Sequence, residues 1–261
     1  MNNKTLVILL IAGTIDARTI IERLAPEPVQ LHATVTTDLG TEYLRQYPGL
    51  RIHQGRLDQT EMVRLIGAIG PDLVIDASHP FAKAASLNAM AACRESGTPY
   101  LRFEREATDS EAGADLIWAR DFDDAARKAA ELTGKILLTI GSNHLEPFTR
   151  QIGDFRERLF IRVLPLQEVI AKCERLGFSA ARIIGMKGPF SVEMNRAMLR
   201  YCQAQALVTK ESGEAGGNQA KLAAARELAI PVIMIRRPEL EYGWTVDSVE
   251  QVLRAVKEML N

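Results

Sequence analysis

"LLIAGTIDAR", residues 9–18, carries an apolar run into a glycine, a hydroxyl residue and a helix-like pattern. A run that is apolar at every position, and not at alternate ones, reads as a strand covered on both faces of a parallel sheet. Glycine at the turn lets the backbone approach a phosphate. The helix that follows offers unpaired N–H groups and the positive end of its dipole. Gly13 and Thr14 supply that arrangement, but Ala12 and Ala17 stand where the full G-x-G-x-x-G pattern has glycines. A tight structural turn explains the same residues, so nucleotide binding is one of two readings here.

The pattern returns at 137–146 as "LLTIGSNHLE", with Gly141 and Ser142 in the places of Gly13 and Thr14. A second pair matches as well: "DASHPFAK" (76–83) and "MKGPFS" (186–191) each leave an apolar run through a proline and a phenylalanine. Further apolar runs predict strands at Leu6–Ala12, Val29–Val35, Leu73–Ala77, Tyr100–Arg102, Ile136–Ile140, Leu159–Val163, Arg182–Met186, Leu207–Lys210 and Val232–Ile235, and a weaker one at Arg51–Gln54. Amphipathic segments lie between them, at Lys83–Glu95, Asp123–Leu132, Val192–Tyr201, Gln219–Leu228 and Val246–Leu260. Strand and helix alternating at this spacing predict an α/β fold with right-handed crossovers. Two motifs repeated in order predict two Rossmann-like lobes with mainly parallel sheets and a ligand cleft between them. The acidic stretch "EATDSEAGAD" (106–115) reads as a loop before the boundary. The lobes are expected at residues 1–132, binding the cofactor, and 133–261, with the last helix packing back on the first lobe.

Composition narrows the function. With 32 Lys and Arg against 33 Asp and Glu, the net charge is -1, which gives no bulk field for nucleic acid. Cys93, Cys173 and Cys202 are scattered without metal-ligand spacing, so neither a zinc site nor a disulfide framework is expected, and a reducing, cytoplasmic setting is. The apolar run at the N-terminus is short and lacks a cleavage-type site, and no stretch approaches the roughly 20 residues of a membrane span.

The candidate site residues sit at strand ends. Thr36 and Thr37 occupy the tip of the second strand, with Asp38 just beyond, an arrangement that tolerates NADPH and leaves NADH open. A hydroxyl-rich turn capping the next helix accounts for them equally well. Pro80 is expected at the first helical position with His79 as its cap. Histidine is a poor cap beside Ser78, so His79 reads either as a ligand contact or as a satisfied structural histidine. Arg102, Arg105, Lys187, Lys210 and Arg236 each follow an apolar run, and together they suggest a rim for a polyanionic ligand. "KESGEAGGNQAK" (210–221) is glycine-rich and opens a helix near Asn218. Any one of these cations reads equally as a solvated charge.

"LLIAGTIDAR", "DASHPFA", "PYLRFER", "LLTIGSNHL", "KGPFS" and the long C-terminal "LVTKESGEAGGNQAKLAAARELAIPVIMIRRP" together make the chain resemble the precorrin-6A / cobalt-precorrin-6A reductases of the cobalamin pathway, over nearly its whole length. The family commonly reads Gly-Gly-Thr where Ala12-Gly13-Thr14 stands, and threonine where Ser78 stands. The first departure removes one flexible point near the pyrophosphate; the second keeps the hydroxyl. The resemblance implies hydride transfer from NADPH or NADH to a polycarboxylate macrocycle. No metal, membrane or nucleic acid is implied, and contacts with neighbouring pathway enzymes are admitted. On it, His79 and Lys210 are the candidates for proton donor or ring orientation. Gly13, Thr14, Thr36, Thr37, Ser78, Gly141 and Ser142 are expected at the cofactor. Arg102, Arg105, Lys187, Gly188, Ser191, Ser212 and Arg236 are expected at the substrate. Two other classes stay in view: a redox-sensing dinucleotide module without catalysis, and a dehydrogenase of another small substrate. No tyrosine has a lysine four residues on, which counts against the short-chain dehydrogenases.

Overall fold

The structure, a computed structural model, describes residues 5–105, 115–213 and 216–261. The loop read at 106–115 therefore lies, except for Asp115, outside the described residues. The chain forms two compact units, Met1–Glu106 with Glu239–Asn261, and Ala107–Pro238. Unit 1 runs β1 (Leu6–Ile11), α1 (Ile15–Leu24), β2 (Val29–Val35), α2 (Asp38–Leu44), β3 (Arg51–Gln54), α3 (Gln59–Ile69), β4 (Leu73–Asp76), α4 (Lys83–Ser96) and β5 (Tyr100–Phe103). Unit 2 runs β6 (Leu116–Ala119), α5 (Phe122–Glu131), β7 (Lys135–Leu138), α6 (Glu146–Gln151), α7 (Phe155–Arg158), β8 (Leu159–Val163), α8 (Gln167–Arg175), β9 (Ile183–Gly185), α9 (Val192–Tyr201), β10 (Ala204–Lys210), α10 (Asn218–Glu227) and β11 (Val232–Ile235). The chain then returns to unit 1 with β12 (Thr245–Val246) and α11 (Val249–Leu260).

Each unit holds one parallel sheet, ordered β3-β2-β1-β4-β5-β12 and β9-β8-β7-β10-β11-β6. Unit 1 has the doubly wound order 3-2-1-4-5-6, and unit 2 has the same order when β7 is counted as its first strand and β6 as its last. The sixth strand comes from the wrong half of the sequence in both. Strand β6 pairs with β11, Val232 opposite Leu116, and β12 pairs with β5, Val246 opposite Phe103. The units therefore divide at 106/107 and again at 238/239, not at 132/133. The reason is pairing: β6 and α5 follow the first five strands in sequence but hydrogen-bond or pack within the second sheet's layers.

Strand β1 shows why its sequence is apolar throughout. Leu6, Ile8 and Leu10 enter one core with Ile20, Ile21 and Leu24 of α1 and Val252 and Val256 of α11. Leu9 and Ile11 face the other way, onto Met62 and Ile66 of α3 and Ala89 and Ala92 of α4. Successive side chains alternate faces, so a strand covered twice can spare no position for polarity. In unit 2 the corresponding layer joins Leu137, Phe160 and Leu207 to Met198, Leu199 and Cys202 and to Ala224 and Ala225 of α10.

On β2 and β3 a hydrogen-bonded chain runs from Gln30 Nε2 to His32 Nε2 (3.0 Å) and from His32 Nδ1 to His53 Nε2 (2.9 Å), with the two imidazoles stacked. An amide nitrogen only donates, so His32 accepts at Nε2 and donates from Nδ1, and both rings are neutral in this arrangement. Burial lowers both pKa values, assisted at His32 by His53 and Arg51 and at His53 by Arg51. A histidine whose folded pKa is depressed stabilises fully above its unfolded pKa of about 6.5, and that contribution fades as pH falls below it. Unit 1 is thus expected to unfold at lower urea at pH 5.5 than at pH 7.5, and the difference should shrink in His53→Gln. Equal pH dependence in the two proteins would rule out this histidine pair as its source.

Candidate active site

In a doubly wound sheet, ligands meet the carboxyl ends of the strands where the winding reverses. In unit 1 that point lies between β1 and β4. The β1 turn is held by backbone bonds to both neighbours: Ala12 N–H donates to Thr34 O (3.0 Å), and Ala77 N–H donates to Ile11 O (3.1 Å). Gly13 follows with φ +126°, an extended backbone with positive φ that side chains resist, and a Cβ there would meet nothing within 4 Å. The turn is therefore open above the backbone. Thr14 caps α1 by accepting from Ala17 N–H (3.0 Å) and donates its own proton to Ala77 O (2.8 Å), tying the β1 turn to the end of β4. Thr36 and Thr37 lie exposed at the end of β2, where Thr37 caps α2 through Gly40 N–H.

After β4 the chain departs from the expected cap. Helix α4 begins at Lys83, with no side-chain cap, so Pro80 is not a first helical residue. Residues 79–82 instead form a turn closed by Ala82 N–H to His79 O (2.7 Å). Proline suits its second position because φ is already set. The Phe81 N–H donates to His79 Nδ1 (3.1 Å), which leaves the proton of the neutral ring on Nε2. Ser78 is buried and accepts from Arg102 Nη1 at both its carbonyl (3.2 Å) and its hydroxyl (3.3 Å).

Arg102 does not belong to an exposed rim. It is fully buried, paired with Asp76 Oδ1 at 3.0 Å and near Glu104 at 3.6 Å, with the Tyr242 ring 4.9 Å from its guanidinium carbon. Asp76 also accepts from Ser78 N–H, the Ser86 hydroxyl (2.6 Å) and the Tyr100 hydroxyl (2.7 Å). This is an internal brace beneath the "SHPF" turn. Arg105 reaches Asp16 in the first turn of α1 at 2.5 Å, neutralising the one acid at that helix start.

In unit 2 the winding reverses between β7 and β10, which brings Gly141 and Ser142 to the same end as Lys210. Gly141 has φ +78°, but Ser142 caps nothing, because α6 starts only at Glu146. The loop between carries His144, whose ring stacks on Phe122 at 3.9 Å and whose pKa is lowered by burial and then by Lys210. Burial brings Lys210 down to about 8. Ser212 donates to Asn218 Oδ1 (3.0 Å) at the start of α10.

The sheet order changes what "KGPFS" means. It follows β9, an edge strand, whereas "SHPFAK" follows β4 beside the reversal point, and the unit 2 counterpart of the latter is "KESG" after β10. Lys187 and Gly188 are exposed; a Cβ on Gly188 would meet the Phe190 ring at 2.9 Å, so its glycine makes room for that ring. Ser191 caps α9 through Met194 N–H (3.3 Å), which again displaces proline from the first helical position. Arg236 is exposed and lies over Trp118 at 4.7 Å.

Two buried cations escaped the strand-end pattern. Arg162, on β8, donates from Nη1 to Asn195 Oδ1 (2.8 Å) and lies 4.4 Å above the Phe190 ring. Lys221, on α10, donates to Thr209 Oγ1 and Asn218 Oδ1, both at 3.2 Å. Burial lowers Arg162 to about 10, and burial with Arg162 and Lys210 lowers Lys221 to about 7. The signals were present: one arginine inside "LFIRV", and one lysine on the helix face that also carries Asn218, Ala224 and Ala225.

Comparison with known proteins agrees with this architecture along its whole length. The chain is 38% identical over 250 residues to the cobalt-precorrin-6A reductase of Priestia megaterium, covering 95% of this chain and 97% of that one. It is 39% identical over 262 residues to the cobalt-precorrin-6A reductase of Methanothermobacter thermautotrophicus, covering 97% and 85%. Among solved structures, CobK precorrin-6A reductase matches with a TM-score of 0.78 at 27% identity, covering 97% of this chain and 96% of that one. The family model for precorrin-6x reductase CbiJ/CobK matches residues 7–257, and the chain belongs to that family.

Proposed function

We propose that the chain reduces precorrin-6A or cobalt-precorrin-6A to the corresponding precorrin-6B in corrin ring biosynthesis, using NADPH or NADH. The observation that carries the cofactor side is the open Gly13–Thr14 turn at the reversal point of unit 1. The residues present fit a dinucleotide: Gly13 leaves the backbone bare, α1 presents its N-terminus, and Arg105 offsets Asp16 there. Gly13, Thr14, Thr36, Thr37 and Ser78 would hold it, and when bound it supplies the hydride. Lys187, Ser191, Ser212 and Arg236 remain candidates for the carboxylates of the macrocycle, whereas the buried Arg102 does not.

Saturating the ring after hydride addition needs one proton. Lys210 holds a proton on Nζ at neutral pH while giving it up more readily than an exposed lysine, and the neutral His79, with its proton on Nε2, can orient the ring by donating a hydrogen bond. Both are positioned at carboxyl ends of strands flanking a reversal point. His79→Ala is expected to lower turnover about 100-fold, the loss that a misplaced reacting group brings, with cofactor affinity unchanged. Full turnover in that variant would take His79 out of the chemistry. If Lys210 is the donor, turnover should decline above pH 8, and Lys210→Met should remove that limb of the profile.

The reading is tested by mixing the protein anaerobically with NADPH and cobalt-precorrin-6A and following the nicotinamide band. Oxidation that requires the macrocycle is expected. Cofactor binding with no macrocycle-dependent oxidation would favour a redox-sensing module instead.

A further inference from the structure

The turn at residues 79–82 carries His79, and helix α4 behind it has no side-chain cap to fix its start. One buried carboxylate holds the turn at both ends instead. Asp76 Oδ1 accepts from the N–H of Ser78, the residue before the turn, at 2.9 Å. Asp76 Oδ2 accepts from the Ser86 hydroxyl at 2.6 Å. The Ser86 N–H in turn donates to the carbonyl of Ala82, the last residue of the turn, at 3.2 Å. Tyr100, at the start of β5, donates its hydroxyl to the same Oδ2 at 2.7 Å. Arg102 pairs with Oδ1 at 3.0 Å and also donates to the Ser78 carbonyl. Inside the turn, the Phe81 N–H makes His79 Nδ1 an acceptor, which leaves the ring proton on Nε2.

Replacing a buried ion pair by apolar residues is often neutral or stabilising. Fold stability alone therefore does not account for a carboxylate and a guanidinium at 0% exposure here. What the pair and the two hydroxyls specify is geometry. We propose that Asp76 is a positioning residue whose carboxylate clamps the turn so that His79 presents its Nε2–H in one place, with Tyr100 and Ser86 fixing the carboxylate itself. Asp76 acts through Ser78 and Ser86, and it transfers no proton in this role, because the carboxylate only accepts. The value of that place for turnover rests on the function proposed above. The clamp itself does not, because it is measured without turnover.

Nitrogen NMR of the imidazole rings in the full chain, without ligand, reads the clamp. The sequence has four histidines, and His79→Gln assigns the signals of interest. Wild type is expected to show His79 as the Nε2–H tautomer. Two variants should shift it toward a mixture of tautomers: Asp76→Asn, and separately Ser86→Ala with Tyr100→Phe, which leaves the Asp76–Arg102 pair intact. The signals of His32, His53 and His144 should stay in place, which a general loss of structure would not permit. Unmoved His79 signals in the folded variants overturn the proposal. Turnover of NADPH with cobalt-precorrin-6A is expected to fall about 10- to 100-fold in the same variants, the loss that about 1 Å of misplacement brings. The fall should vanish in a His79→Ala background, where no ring is left to place. A fall that persists there overturns the proposal, as does full turnover despite shifted His79 signals. If wild type never oxidises NADPH while the His79 signals shift as expected, the clamp stands and the reductase reading is lost.

Discussion

Arg102→Met is expected to destabilise unit 1 by about 3–5 kcal/mol, the range for removing one partner of a buried ion pair. The carboxylate of Asp76 would remain at 0% exposure, holding its bonds from Ser78 N–H, Ser86 and Tyr100 but no counter-charge. Those donors are neutral and cannot replace the guanidinium. The effect is measurable because the protein has two tryptophans, one in each unit: Trp244 in unit 1 and Trp118 in unit 2. In a Trp118→Phe background, urea unfolding followed at Trp244 reports unit 1 by itself. Adding Asp76→Asn to Arg102→Met should restore part of the loss, since the two sites are coupled through one contact. An unchanged midpoint in Arg102→Met would mean that the brace contributes nothing, and the arginine would again be a candidate for ligand contact.

Gly13→Ala is expected to lower NADPH affinity about 10- to 100-fold. At φ +126° an alanine is strained by about 1–3 kcal/mol whatever the surrounding space, so the turn must reshape. Thr14, which ties β1 to Ala77 and caps α1, would move with it, and the helix N-terminus would lose its aim. Gly141→Ala, at the equivalent turn of unit 2, strains that loop in the same way. Its effect on NADPH should be small if the dinucleotide sits in unit 1. The reverse ranking, measured by fluorescence titration of both variants, would move the cofactor to unit 2.

The sequence made the strands legible wherever burial on both faces left no polar position. Val29–Val35, Leu159–Val163 and Val232–Ile235 have the ends that their apolar runs predict. Strands β6 and β12 passed unread for a physical reason: both are outermost, Leu116–Trp118 are only half buried, and β12 spans two residues. An edge strand needs no continuous apolar run. Which sheet a strand enters is also a long-range choice, so the boundary at 132/133 followed the sequence where the pairing did not. The likeness of "SHPFAK" to "KGPFS" was turn chemistry, a proline and an aromatic leaving a strand, and turn chemistry carries no rank in a sheet. Arg162 and Lys221 were hidden differently: a cation inside an apolar pattern resembles noise until its neighbours in space prove to be neutral.

The placement of β12 bears on how the protein is made. A ribosome delivers β1 to β5 first, then the whole of unit 2, and only afterwards the two residues that pair with β5 and the helix that covers α1. Throughout that interval the nascent first sheet carries an unpaired edge at β5, and the part of its core that Val252 and Val256 of α11 fill stays open. Loss of α11 and β12 by a premature stop would therefore damage the oldest part of the chain while sparing the most recently synthesised unit. Polarity of synthesis and polarity of damage run in opposite directions here.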